Sequence, residues 1–236
     1  MFPLNRQIPP RLYFTRRKHE EKTGSAMKVF MHYCTYGFSN CYISGTDSDD
    51  KASPRDAVVV DPGSMDIPLL DFIEKNEYRL RGILITHDHL NHVHGLRTLK
   101  RIYNAEIYSV NPVIQNIKTI VIRDGDVLTM GAISVAVIAI PGHSSDSAVF
   151  KINRTLFTGD TITAGLLGTT ISSYGRRKQM DGLRSKVLSL PGNYVVLPGH
   201  GPPTTLDAER QYNAGIQRYE QDKHARPKYE VEVEFN

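Results

Sequence analysis

The sequence has few of the features that mark cross-linked, membrane-spanning or nucleic-acid-binding proteins. Its two cysteines, Cys34 and Cys41, are too few for a disulfide framework and wrongly grouped for a zinc cage, so buried, reduced thiols are expected. No apolar stretch approaches the roughly 20 residues of a membrane helix. The opening MFPLNRQIPPRLYF is broken by prolines and charges where a secretory signal would carry its apolar core. A cytoplasmic protein without membrane association is the expectation. Net charge is also lacking once it is divided along the chain. Six of the 29 basic and two of the 25 acidic residues fall within residues 1–26, and the 23 of each sign that remain cancel. Such a balance offers no broad positive field, so nucleic acid is not an expected partner. No short-period repeat is visible.

What is present describes an ordinary folded enzyme. The 236 residues are 40% hydrophobic and 23% charged, a length and balance suited to one domain with a sizeable core. Residues 1–26 read as a basic extension or as a start assigned too early, with Met27 opening a domain that runs over 27–236. Two strands (KVFMHYC, NCYIS) are followed by a polar turn, the apolar strand AVVVDPG, a helix over Asp66–Lys75 and the strand GILIT. LRTLKRIY reads as a helix and AEIYS as a strand. Strands near SVAVIAI, AVFKI and TLFTG follow, each closing in a polar cluster. A loop over Thr161–Lys178, a helix near Met180–Leu190, the strand YVVLP and a helix near Leu206–Tyr219 complete the pattern.

Four of the nine histidines fall in THDHLNHVHG, at the mouth of an apolar strand. Histidine is a common metal ligand, and so dense a group would be costly in a packed core. Three further clusters stand at strand ends: Pro141-Gly142-His143, Thr158-Gly159-Asp160 and Pro198-Gly199-His200-Gly201. Glycine beside each candidate permits the tight turns that bring side chains to a shared centre.

This set of clusters resembles the metallo-β-lactamase superfamily, whose HxHxDH motif is followed by a distant His, an Asp and a last His. The resemblance runs from about Lys28 to Glu209. It implies an α+β fold, a four-layer αββα sandwich, and a metal-activated water as nucleophile. It also implies that His87, His89 and His143 hold one metal, that His92 and His200 hold a second, and that Asp160 bridges the two. Zinc, as one or two ions, is the implied cofactor, with iron or manganese as alternatives. FTGDT with LPGHGPPTT is most similar to the glyoxalase II-related (hydroxyacylglutathione hydrolase-like) thioester hydrolases. Asn91 stands where the motif carries Asp. Its amide can touch a metal but brings no charge and cannot accept a proton as a carboxylate does, so the second site should fill only in part. Asp160, Asn91 and Asp88 are the candidates for work at the reacting centre. Asp88 lies between two inward-pointing histidines, so turn duty is its first expectation and a compensating role the second. Asp61 reads equally as a turn carboxylate or as a partner orienting a ligand histidine. His94 reads as an ordinary hydrogen-bonded histidine.

Tyr174, Arg176, Arg177 and Lys178, in the loop before a helix, are candidates to hold a substrate carboxylate or phosphate, against an equal reading as a solvated basic turn. Only 36 residues follow His200, so much of the helical region that binds glutathione in the resembled group is absent. The leading expectation is a hydrolase acting on a small-molecule thioester or related activated ester, with a homodimer compatible. Alternatives are a phosphodiesterase of the same fold, a mononuclear iron oxidoreductase similar to the persulfide dioxygenases, and a binding protein with weakened catalysis.

Overall fold

The computed structural model describes residues 26–47 and 55–224. The expected basic extension lies outside them except for Ala26, as does most of the polar turn before Arg55.

The first sheet contains β1 (Ala26–Tyr33), β2 (Asn40–Asp47), β3 (Arg55–Val60), β4 (Tyr78–Leu84), β5 (Ile107–Ser109) and, beyond the small hairpin β6 (Val113–Ile114) and β7 (Ile117–Lys118), β8 (Ile120–Val121), in the order β1-β2-β3-β4-β5-β8. Its first two joins are antiparallel and the rest parallel. The parallel crossovers carry α1 (Ile67–Lys75), then α2 (Leu90–Val93) and α3 (Leu96–Ile102). Asp66 starts α1 by accepting from the Leu69 N–H at 3.2 Å, and the helix buries Leu69 and Ile73.

The second sheet holds β9 (Val127–Met130), β10 (Ile133–Ala139), β11 (Ala148–Ile152) and β12 (Thr155–Gly159). After the hairpin β13 (Ile162–Thr163) and β14 (Leu166–Leu167), it adds β15 (Val195–Pro198) and β16 (Thr204–Thr205), giving the order β16-β15-β12-β11-β10-β9. On its outer side lie α4 (Ser173–Gly182), which widens into a π-helical turn over Leu183–Leu188, then α5 (Leu206–Tyr212) and α6 (Ala214–His224).

Strand alternation builds the layers. Along β3, Ala57 and Val59 pack toward α1 and α3, whereas Val58 and Val60 face the second sheet. In that sheet Phe150, Phe157 and Leu197 face inward, and Val149, Leu156 and Val196 face α4 and α5. Both faces of the central strands are buried, which is why AVVV and GILI read as continuous apolar runs. Each fully buried Leu, Ile or Phe there contributes about 1.5–3 kcal/mol. The result is the expected αββα sandwich.

Two helix boundaries differ from the sequence expectation. Ser172 caps α4 by accepting from Gly175 N–H at 3.0 Å, so the helix starts inside the segment read as a loop. The C-terminal helix breaks at Asn213, whose backbone is extended. Its side-chain oxygen instead caps Ile216 N–H at 3.1 Å, and its amide nitrogen donates to Leu166 O at 2.9 Å.

The sheets are clasped where β2 meets the end of β15. Asn40 N–H donates to Gly199 O at 2.7 Å, the Asn40 amide to Pro198 O at 3.0 Å and Gly201 O at 2.8 Å, and the Tyr42 hydroxyl to Pro198 O at 2.7 Å.

Candidate metal centre

Every proposed ligand sits beyond the carboxyl end of a strand or on the short helix that follows one. His87 and His89 follow β4, α2 carries Asn91 and His92, and His143, Asp160 and His200 follow β10, β12 and β15. Gly159 turns the chain at φ +49°, with its α-carbon against Thr86, and Gly199 packs against Asp160 and His92. A side chain at either position would push the turns apart.

The ligand atoms of His87, His89, His143 and Asp160 lie within 4.8 Å of one another, as do those of His92, Asp160 and His200. Nδ1 of His89 is 3.0 Å from Nε2 of His87 and 3.1 Å from Nε2 of His143. Asp160 belongs to both groups. Its Oδ2 lies 3.8 Å from His87 Nε2, 3.7 Å from His143 Nε2 and 3.5 Å from His92 Nε2, and its Oδ1 is 2.7 Å from His200 Nδ1.

The remaining hydrogen bonds fix the tautomers. Thr86 gives its only hydroxyl proton to Asp61 Oδ2 at 2.6 Å, so toward His87 Nδ1, 3.0 Å away, the hydroxyl is an acceptor. His87 therefore carries its proton on Nδ1 and turns the Nε2 lone pair inward. His143 does the same by donating Nδ1–H to Thr169 O at 2.7 Å, and His92 by placing Nδ1 3.0 Å from Asp61 Oδ2. Asp61 also accepts from Thr86 N–H at 2.8 Å and sits at φ +51°, a strained backbone for a non-glycine residue. It is thus both a turn residue and the carboxylate that orients His92.

Electrostatics separate the two groups. Burial, and then the neighbouring His92 cation, depress His87 to a pKa of about 2, and burial with His143 lowers His89. Burial opposes charge on His92 too, but the carboxylates of Asp160 and Asp61 outweigh it and raise His92 to about 9. The bond to Asp160 also raises His200. Asp160 itself is held far below the usual carboxylate range: burial works against its charge, but His200 and His92 prevail.

These residues fit a metal cation. His92 Nε2 is fully buried with no hydrogen-bond partner; the Asp160 oxygen at 3.5 Å is only an electrostatic neighbour. An orphaned imidazole nitrogen of this kind is costly unless a cation or proton occupies the space it faces. Three imidazoles with one carboxylate suit zinc, iron or manganese.

Asn91 lies beside His200 at the edge of the second group. Its amide nitrogen lies 2.9 Å from His200 Nε2, which is also 3.3 Å from Gly37 O. The turn between β1 and β2 holds this pair: Ser39 Oγ donates to Asn91 O at 2.6 Å, and Tyr36 stacks on His94 with ring centroids 3.9 Å apart.

Of the other expected residues, Asp88 is exposed and its carboxylate is outside both groups, while burial and Asp146 raise its pKa. Arg176 reaches Gly215 O at 3.4 Å, toward α6. Lys178 Nζ lies 5.6 Å from the ring centroid of the exposed Tyr174, and Arg177 is exposed. The sequence reading missed Asp146, whose Oδ2 accepts from Asp88 N–H at 2.8 Å. Its only sequence signal is an acidic residue in the turn that carries His143.

Comparison with known proteins agrees with this geometry. An uncharacterized protein of Mycobacterium tuberculosis is 31% identical over 210 residues, spanning 74% of this chain and 91% of its own. A hydroxyacylglutathione hydrolase of Francisella tularensis is 36% identical over 148 residues, spanning 61% of this chain and 58% of its own. The crystal structure of ETHE1 from Myxococcus xanthus has the same fold, with a TM-score of 0.69 at 24% identity over 85% of this chain and 93% of that one. The family model described as the metallo-beta-lactamase superfamily matches residues 35–200, a span that takes in every side chain of both groups, and the chain belongs to that superfamily.

Proposed function

We propose that this protein is a metal-dependent hydrolase of a small-molecule thioester or related activated ester, with zinc as the first candidate metal. The observation that carries the reading is the convergence of His87, His89 and His143 on Asp160, with two of the three imidazoles held in the tautomer that frees Nε2. The likeness to a hydroxyacylglutathione hydrolase supports the substrate class. A divalent cation there would polarise a carbonyl oxygen and acidify a water molecule.

The protein's own residues orient and tune. Thr86 and Thr169 O fix two ligand rings, Asp61 fixes a third, and Asp160 would supply a negative charge to a cation held there. Asn91, as an amide, could not take a proton from an attacking water as a carboxylate would, which leaves Asp160 as the carboxylate of the bunched ligands. Tyr174, Arg176, Arg177 and Lys178 are the candidates for an anionic substrate group, with one Arg176 nitrogen also reaching Gly215 O at 3.4 Å. The reading includes no nucleic acid and no membrane partner.

A second reading, a mononuclear iron oxidoreductase, is favoured by the Asn91–His200 contact, which occupies part of the second site. One experiment decides. Metal content is measured on protein purified without added metal, and the same sample is assayed with thioesters, lactones, phosphodiesters and, for oxygen uptake, glutathione persulfide. Zinc with thioester turnover is expected. Iron with oxygen uptake establishes the second reading, and a metal-free chain inert to every substrate defeats both.

A further inference from the structure

Asp146 stands three residues after His143 and is 5% exposed. Its Oδ2 accepts from the Asp88 N–H at 2.8 Å and from the Asn111 side-chain amide at 3.0 Å. Asp88 N belongs to the residue between His87 and His89. One carboxylate oxygen therefore joins the His143 turn to the His87–His89 turn, and Asn111, just past β5, braces it from the first sheet.

The neighbouring backbone shows why this anchor matters. Ala148 N–H donates to Thr86 O at 2.9 Å, and Thr86 N–H is held by Asp61 at 2.8 Å, so the chain is fixed just before His87. After His87 it emerges to the surface, where Asp88, His89 and Leu90 are all exposed. At Asp88 the anchor is the Asp146 carboxylate. Within its own turn, Ser144 N–H donates to Ser147 Oγ at 3.1 Å and Ile140 N–H to Ser147 O at 2.8 Å, which makes Asp146 part of a closed loop on β11.

We infer that Asp146 is a positioning residue that sets the spacing of the His87, His89 and His143 nitrogens, and with it the affinity of that group for a divalent cation. The inference rests on the reading of these histidines as metal ligands. It acts through hydrogen bonds, so an amide that keeps an acceptor oxygen at this position should preserve it.

The test is zinc titration of metal-stripped protein against a fluorescent chelator, for the natural chain, Asp146→Asn and Asp146→Ala, with absorption spectra of the cobalt-loaded forms. Asp146→Ala should bind zinc about 10–100-fold more weakly, the usual loss when a group supporting a ligand is removed. Asp146→Asn should remain within about threefold of the natural chain and keep its cobalt spectrum. Equal affinity in all three forms overturns the inference, as does an Asn variant as weak as the Ala variant, because charge would then be the operative property. Should Asp146→Ala fail to fold, the cobalt spectrum of Asp146→Asn decides: an unchanged spectrum supports the inference and a changed one overturns it. A natural chain that takes up no zinc removes the metal reading and this inference together. One that binds zinc equally with all three side chains removes this inference alone.

Discussion

The amide nitrogen of Asn91 lies 2.9 Å from Nε2 of His200, while Nδ1 of the same ring is 2.7 Å from Asp160. Both nitrogens of His200 are therefore engaged within the protein. A cation bound by His92 and His200 would have to displace one of these contacts without a carboxylate at position 91 to offset its charge.

Asn91→Asp should make the two groups more nearly equal. Elemental analysis of the natural chain should find one tightly held ion, and the variant should hold close to two. Two tightly held ions in the natural chain would show that the Asn91–His200 contact yields readily.

Proton competition should separate the groups as well. His87 and His89 are depressed, so the first ion meets little competition near neutral pH. His92, raised to about 9, must release a proton, as must His200, whose value is also raised. Occupancy of the second position should therefore climb as pH rises toward about 9. Zinc titrations between about pH 6 and 9 would reveal this, and a flat response would contradict it. Stability of the metal-free protein follows the same signs. The contribution of the raised His92 is complete below about 6.5 and is lost as pH rises through about 9. His87, held neutral, penalises the fold as pH falls below about 6.5, and the depressed Asp160 adds to the loss in strong acid. Melting temperatures of the metal-stripped chain should fall on both sides of a near-neutral maximum.

Thr86→Val keeps the shape of the side chain but removes the hydroxyl shared by Asp61 and His87. Leaving those buried atoms short of a partner should cost about 1–3 kcal/mol, read by chemical denaturation of the metal-free protein. Zinc affinity should drop roughly tenfold, and Thr86→Ser should restore most of it. If Thr86→Val binds zinc like the natural chain, the hydroxyl does not set the His87 tautomer.

The sandwich and the bunched ligands were legible because each leaves a local mark. Strands buried on both faces read as AVVV and GILI, and ligands beside glycine and proline read as strand-end turns. Contacts between distant segments leave no such mark. Ser39 reaches Asn91 across 52 residues, and Asp146 reaches Asp88 across 58. Nothing near either pair in sequence announces the other. The start of α4 was hidden because a single serine cap opens a helix whose first turns hold glycine and three basic residues rather than an apolar stripe. The break at Asn213 was hidden for a related reason: the same asparagine that ends α5 caps α6, and the apolar spacing continues across it. Arg176 sits in the expected basic run, yet packing turns it toward Gly215.

The clasp from Asn40 and Tyr42 onto the Pro198–Gly201 turn closes a loop of more than 150 residues, with Tyr42 and Pro198 separated by 156. Closing so long a loop carries a large entropic cost before the contact rewards it. His87, His89, His143 and Asp160 all precede β15 in the chain. The segments that carry the first ion seat are thus complete without β15, whereas the pocket around His200 takes its shape only once that strand has docked against Asn40 and Tyr42.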